Sequence, residues 1–147
     1  MKNSTGFTLV ELVVTITLVG ILVIATIPTY SNLTSRAQFQ INVSNMHVIK
    51  DTFMQYYYEN HMIGNPHFPQ ESENALLDST YRQTALEDGR TPDDLFSGDL
   101  PYNTNNNPYI YYTESDTSQT GWISNRIIIK DVDPDSPSIN EFVVGEI

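Results

Sequence analysis

The feature that most constrains this chain is the apolar run from Phe7 to Ile27, in which a single residue, Glu11, carries a charge. As a helix rising about 1.5 Å per residue, the run is roughly 30 Å long, the thickness of a bilayer's hydrocarbon core. An ionisable group at that depth costs on the order of 2 to 4 kcal/mol and marks a function by default. The question it raises is which cation Glu11 meets.

Three readings of the run compete. In the first it is a secretory signal peptide, with Lys2 as the positive leader and Val23-Ile24-Ala25 as the cleavage site. Glu11 inside the apolar region, and the length of that region, argue against it. In the second it is a plain signal anchor whose Glu11 snorkels to the headgroups. The third explains more. A cut between Gly6 and Phe7 leaves a new amine on Phe7, four residues before Glu11. In a neighbouring helix shifted along its axis, that amine can pair with this carboxylate. An unpaired charge in so low a dielectric is heavily penalised, so the pair fixes the stagger of self-assembly.

Lys2 to Gly6 as a short polar leader, then Gly6-Phe7-Thr8-Leu9-Val10-Glu11-Leu12, then the apolar run, resemble the class III signal of type IV pilins and type II secretion pseudopilins. Pro28 matches a proline that many members of that superfamily carry. The resemblance is strong over residues 1–36. It implies a prepilin peptidase that cuts after Gly6 and methylates the amine of Phe7. It implies that Glu11 recruits the amine of an adjacent subunit, and that the helix kinks or unwinds near Pro28. The implied partners are other pilin or pseudopilin subunits, an assembly platform and the bacterial inner membrane. The implied fold is α+β: a long N-terminal helix packed on a small C-terminal antiparallel sheet.

The charge balance fits an exported domain. The net charge is −11, with acidic residues concentrated after Glu71. Such a field repels nucleic acid, so no nucleic-acid partner is expected. Lys2 on the short side of the span keeps the leader cytoplasmic and sends the remainder outward; the resemblance implies that this is into the periplasm and then into a filament. There is no cysteine. Many type IV pilins close their C-terminal region with a disulfide, and this chain departs from that pattern. Pseudopilins often hold the corresponding loop with calcium.

The expected organisation is a leader at 1–6, an assembly helix at 7–28 and an amphipathic continuation at 29–63. A loop region with short helices follows at 64–108, and a sheet with an acidic loop at 109–147. In the run itself, Thr8, Thr15, Thr17 and Thr26 can return their hydroxyls to helix carbonyls, and Gly20 and Ala25 offer small patches for close approach. In the continuation, Phe39, Val43, Met46, Phe53 and Tyr57 trace one apolar face with Ile49 at its edge, and Asn42 is a polar position. Gly64, Pro66 and Pro69 end the helix. Glu73 to Leu86 reads as a second helix, with Ala75, Leu76, Leu77, Tyr81, Ala85 and Leu86 buried. Thr91-Pro92 caps a further short helix. Strands are expected at 109–114, 122–130 and 141–144.

Between the last two strands, Asp131, Asp133 and Asp135 alternate, and such aspartates can converge as hard oxygen ligands for calcium. The segment lacks the glycine and distant glutamate of an EF-hand, and a solvated acidic turn is the other reading. His61 and His67 lie close in sequence without an anchoring carboxylate. No nucleophile elbow, zinc-protease motif or phosphate loop is present, so the chain is not expected to be an enzyme. It is expected to be a structural filament subunit: a type II secretion pseudopilin, or alternatively a major or minor type IV pilin. The reading from another class is a membrane-anchored extracytoplasmic binding module.

Overall fold

The structure is a computed structural model that describes residues 6–97, 99–116 and 124–147, without the side chains of residues 27–29, 116 and 124. The chain divides into two units, Met1–Ala37 and Gln38–Ile147.

The first unit is helical from Leu9 onward, as the opening of helix α1 (Leu9–Met62). Every described side chain from Phe7 to Thr26 is exposed, although nearly all are apolar. Three of the threonines within the run behave as expected, and Thr8 does not, since its hydroxyl bonds Glu11 instead of a helix carbonyl. Thr15 Oγ donates to the carbonyl of Leu12, Thr17 to that of Val13 and Thr26 to that of Val23, at 2.7–3.0 Å. Their hydroxyls therefore carry no unmet hydrogen-bonding demand into an apolar medium. The backbone stays helical through Pro28, whose side chain lies outside the described residues. An alanine-type Cβ at Gly20 would meet nothing within 4 Å, so the close approach that glycine permits there is free for another molecule.

In the second unit the same helix buries one face. Met46, Ile49 and Phe53 are fully buried, and Tyr56 and Tyr57 nearly so, while Tyr58 is exposed. Phe39 and Val43, expected on this face, are only partly buried. The helix ends in a Schellman motif: Asn65 N–H donates to Asn60 O at 3.0 Å and Gly64 N–H to His61 O at 3.1 Å. Gly64 sits at φ 87°, the left-handed conformation that explains its choice as terminator.

Three antiparallel strands follow in the order β1-β2-β3: Ile110–Asp116, Ser124–Lys130 and Phe142–Glu146. The expected strand start at Trp122 and the loop joining β1 to β2 fall largely outside the described residues. Register sets Tyr111 opposite Ile129 and Thr113 opposite Ile127, and sets Ile129 opposite Val143 and Ile127 opposite Gly145. Tyr111, Ile127, Ile129 and Val143 join Met46, Ile49 and Phe53 in one core. Phe53 meets Tyr111 edge-on, with ring centroids 4.7 Å apart, an arrangement favoured by the ring quadrupoles. A Cβ at Gly145 would stand 2.9 Å from Met54 Sδ and 3.1 Å from Ile127 Cγ1, so glycine lets β3 approach α1 closely.

The segment Glu73–Leu86 is not the helix its composition suggests. Its only helical piece is a 3-10 turn at Tyr81–Gln83. Ala75 has φ 59°, and Leu76 bridges to Ile110. Leu77 N–H donates to Tyr109 O and Tyr111 N–H to Ala75 O, so this stretch covers the outer edge of β1. Asn74 and Asp78 reinforce the extended path by accepting from Leu76 N–H and from Thr80 and Tyr81 N–H. Side-chain acceptors and an open sheet edge outcompete helix formation here. Leu77, Tyr81 and Leu86 are buried as expected, but Ala85 is exposed. Helix α2 (Pro92–Leu95) starts as expected, with Thr91 and Asp94 forming a capping box.

Candidate assembly site and a polar clasp

The Gly6–Phe7 junction lies in exposed, non-helical backbone just before α1. Nothing in the fold requires a glycine at position 6, since a Cβ there would meet no atom within 4 Å. A glycine without an internal purpose fits a residue read by another molecule. Phe7 is 82% exposed, likewise without a contact that would hide it.

Glu11 is held by its own helix terminus. Its Oε2 accepts from Thr8 N–H at 2.9 Å and from Thr8 Oγ1 at 2.8 Å, while Thr8 Oγ1 accepts from Glu11 N–H at 3.3 Å. The first helical bond, Leu12 N–H to Thr8 O, completes a capping box with Thr8 as the cap. The helix macrodipole adds to this, because a carboxylate in the first turn faces the positive end. Glu11 Oε1 has no partner among the described residues. One carboxylate oxygen thus fixes the start of the helix, and the other remains available for a cation. Thr8 thus caps the helix, where its place in the apolar run predicts a bond back to a helix carbonyl. The Thr-x-x-Glu spacing of Thr8 and Glu11 was the signal that identifies it.

The three aspartates of the acidic loop are not gathered equally. Asp131 and Asp133 are buried, whereas Asp135 is exposed and contributes its N–H to Asp133 Oδ1. Asp131 Oδ2 accepts from Ser136 Oγ and Ser138 Oγ, both at 2.6 Å. Asp133 Oδ2 accepts from the side-chain amides of Asn103 at 2.9 Å and Asn105 at 2.8 Å. The amides of Asn107, Asn105 and Asn103 hold the Asp133 carboxyl down at about 2.

The centre of this network is Asn42, fully buried on α1. Its Nδ2 donates to Ser136 Oγ and Ser138 Oγ at 2.9 Å, and its Oδ1 accepts from Thr104 N–H at 2.8 Å. Asn42, a polar position by its residue type, faces in. Position 42 is four residues before Met46 and seven before Ile49, so it shares their face. The result is a clasp joining α1, the loop around Asn103 and the loop after β2, in a chain with no disulfide.

As a calcium site this donor set fits poorly. N–H and O–H groups already point at the Asp131 and Asp133 carboxylates, and their positive ends oppose a cation. The orientation of Asn103 is set by its Oδ1, which accepts from Asn105 and Asn107 N–H. Among the described residues no group of three or more acidic or histidine side chains converges to hold a metal. His67 instead contacts the Tyr56 hydroxyl at 3.1 Å, and His61 lies beside the Tyr57 ring.

Residues 1–27 match the family model described as the prokaryotic N-terminal methylation motif. The match ends before the globular unit begins. No curated protein and no solved structure matches the chain at a significant level. The matched motif is that of a class III prepilin signal and supports a pilin-like protein. The long helix followed by a small antiparallel sheet gives the α+β arrangement expected of such a chain. The motif implies processing by prepilin peptidase and assembly with other pilin subunits, and with its apolar helix it fits anchoring in the inner membrane.

Proposed function

We propose that this chain is the structural subunit of a type IV pilus-like filament and, within that class, a type II secretion pseudopilin. It is cut between Gly6 and Phe7, N-methylated on Phe7, and stored in the inner membrane with its globular unit in the periplasm. Polymerisation joins the Phe7 amine of one copy to Glu11 of the next, with the assembly platform driving extraction. The observation that carries this reading is the free Oε1 of a capped Glu11 at the start of an exposed apolar stretch of α1.

The absence of cysteine favours the pseudopilin over a disulfide-closed type IV pilin. The Asn42 clasp supports this, since it ties down the region a disulfide would close. Calcium at Asp131, Asp133 and Asp135 is a separate proposal, drawn from the alternation of the aspartates, and it requires the amide and hydroxyl donors on Asp131 and Asp133 to turn away. Calorimetry with calcium on the full chain in detergent tests it, and the absence of both heat and a melting shift removes it.

The main reading is tested by the N-terminus of the native protein together with filament imaging. A chain beginning at N-methylated Phe7, and loss of filaments in Glu11→Ala, are the expected results. A start at Thr26, or normal filaments from the variant, overturns it. Loss of secretion with intact surface pili upon deletion selects the secretion system, and the reverse selects a pilus.

A further inference from the structure

Between Leu12 and Ile49, α1 carries one charged residue, Arg36. Among the described basic residues, Lys50, Arg82, Arg90 and Arg126 pair with carboxylates, while Arg36 has no ion pair. It is exposed, and the nearest acidic residues along the helix are Glu11 and Asp51, which lie many turns away.

Its depth is fixed by the helix. From Leu9 to Tyr30 the axis advances about 32 Å, which matches a hydrocarbon core of about 30 Å. Tyr30 is 74% exposed, and tyrosines concentrate at the level of the headgroups. Arg36 lies about 9 Å further along the axis, just past a headgroup layer about 5 to 7 Å thick. A long arginine side chain reaches back along the helix to place its head at the phosphates. Guanidinium and phosphate match as a two-pronged, charge-assisted hydrogen bond.

We propose that Arg36, with Tyr30 at the boundary, is the outer membrane-surface anchor of the unassembled subunit and binds the phosphodiester of phospholipid headgroups. This rests on the membrane-stored subunit described above. A second copy does not compete well for Arg36. A stagger that pairs Phe7 with Glu11 sets Arg36 level with positions near 40 or 32 of the neighbour, and that stretch holds no carboxylate. In a chain of net charge −11, an exposed cation at this level is matched to the anionic phosphates of the headgroups.

The test is solid-state NMR on the full chain, labelled at arginine and valine, in vesicles of phosphatidylethanolamine and phosphatidylglycerol. The expected result is phosphorus dephasing of a guanidinium carbon that disappears in Arg36→Gln and leaves the other arginines unchanged. Contacts of Val19 and Val23 with acyl chains report the membrane span independently. Acyl contacts without the phosphorus contact, or a phosphorus contact that survives in Arg36→Gln, overturn the anchor and leave the span intact. Loss of the acyl contacts overturns the membrane reading itself.

Discussion

Residues 9–26 and residues 131–138 handle polarity in opposite ways. The first stretch is apolar and exposed along its whole length, with one carboxylate in its first turn. The second is rich in aspartate and serine, and Asp131, Asp133, Ser136 and Ser138 are buried. An aqueous monomer would not leave the first stretch uncovered. The second is stable only because each buried oxygen meets a donor. The contrast separates two kinds of specificity. The N-terminal stretch is complementary to something outside the chain, either lipid or other copies. The acidic loop is complementary to the chain itself, through Asn42, Asn103 and Asn105.

The sharpest way to break this contrast is to remove the acceptor at the centre of the loop. Asp131→Ala strands the Ser136 and Ser138 hydroxyls and the Asp133 N–H inside the fold. It is expected to cost about 3 to 5 kcal/mol, measured by chemical denaturation of the full chain in detergent. Membrane insertion of the variant should be unchanged. A cost under about 1 kcal/mol would mean that the clasp is dispensable.

Asn42→Ala removes the α1 half of the clasp but leaves Asp131 with its serines. Its expected cost is smaller, about 2 kcal/mol, because one buried amide and its partners lose each other. A double-mutant cycle with Ser138→Ala should show coupling, since the two side chains touch.

Acid probes the same loop more gently. The Asp133 carboxyl titrates at about 2 in the folded chain, against about 3.9 in an unfolded one. Its contribution is therefore complete above about pH 4 and is lost as the pH falls from there through 2. The difference between wild type and Asp133→Asn, followed by denaturation from pH 5 to pH 2, should narrow by on the order of 1 to 2 kcal/mol. A constant difference across that range would remove Asp133 from the clasp.

The smallest effect belongs to the N-terminal stretch. Thr8→Val removes the cap while keeping the shape of the side chain, at a local cost of about 1 kcal/mol. Amide exchange in the first turn of α1 should quicken, with no change in the melting of the globular unit. Unchanged exchange at Leu9 to Leu12 would show that Glu11 does not depend on Thr8.

Much of this architecture is legible along the chain. The Gly6–Phe7 junction, Glu11 and the apolar run are local patterns, and so are the Thr91-Pro92 cap and the β-branched run of Ile127 to Ile129. Each is written within a few neighbouring residues, so spacing alone reveals it. The capping box of Thr8 and Glu11 was equally local and was available to the same reading. Glu73–Leu86 was not legible, because its helical spacing was overridden by an edge of β1 that exists only once the sheet has formed.

What the sequence by itself determined is the N-terminal signal and the helical span, together with three strands. These follow from hydrogen bonds and side-chain spacing within a few residues. What only the tertiary structure decided is that Asn42 turns inward to meet Ser136 and Ser138, and that Asp131 and Asp133 are buried while Asp135 is not. Those partners lie more than ninety residues from Asn42 in the chain. Whether a polar side chain is an exposed solubiliser or a buried clasp depends on which donors the folded backbone brings to it, and no local pattern encodes that.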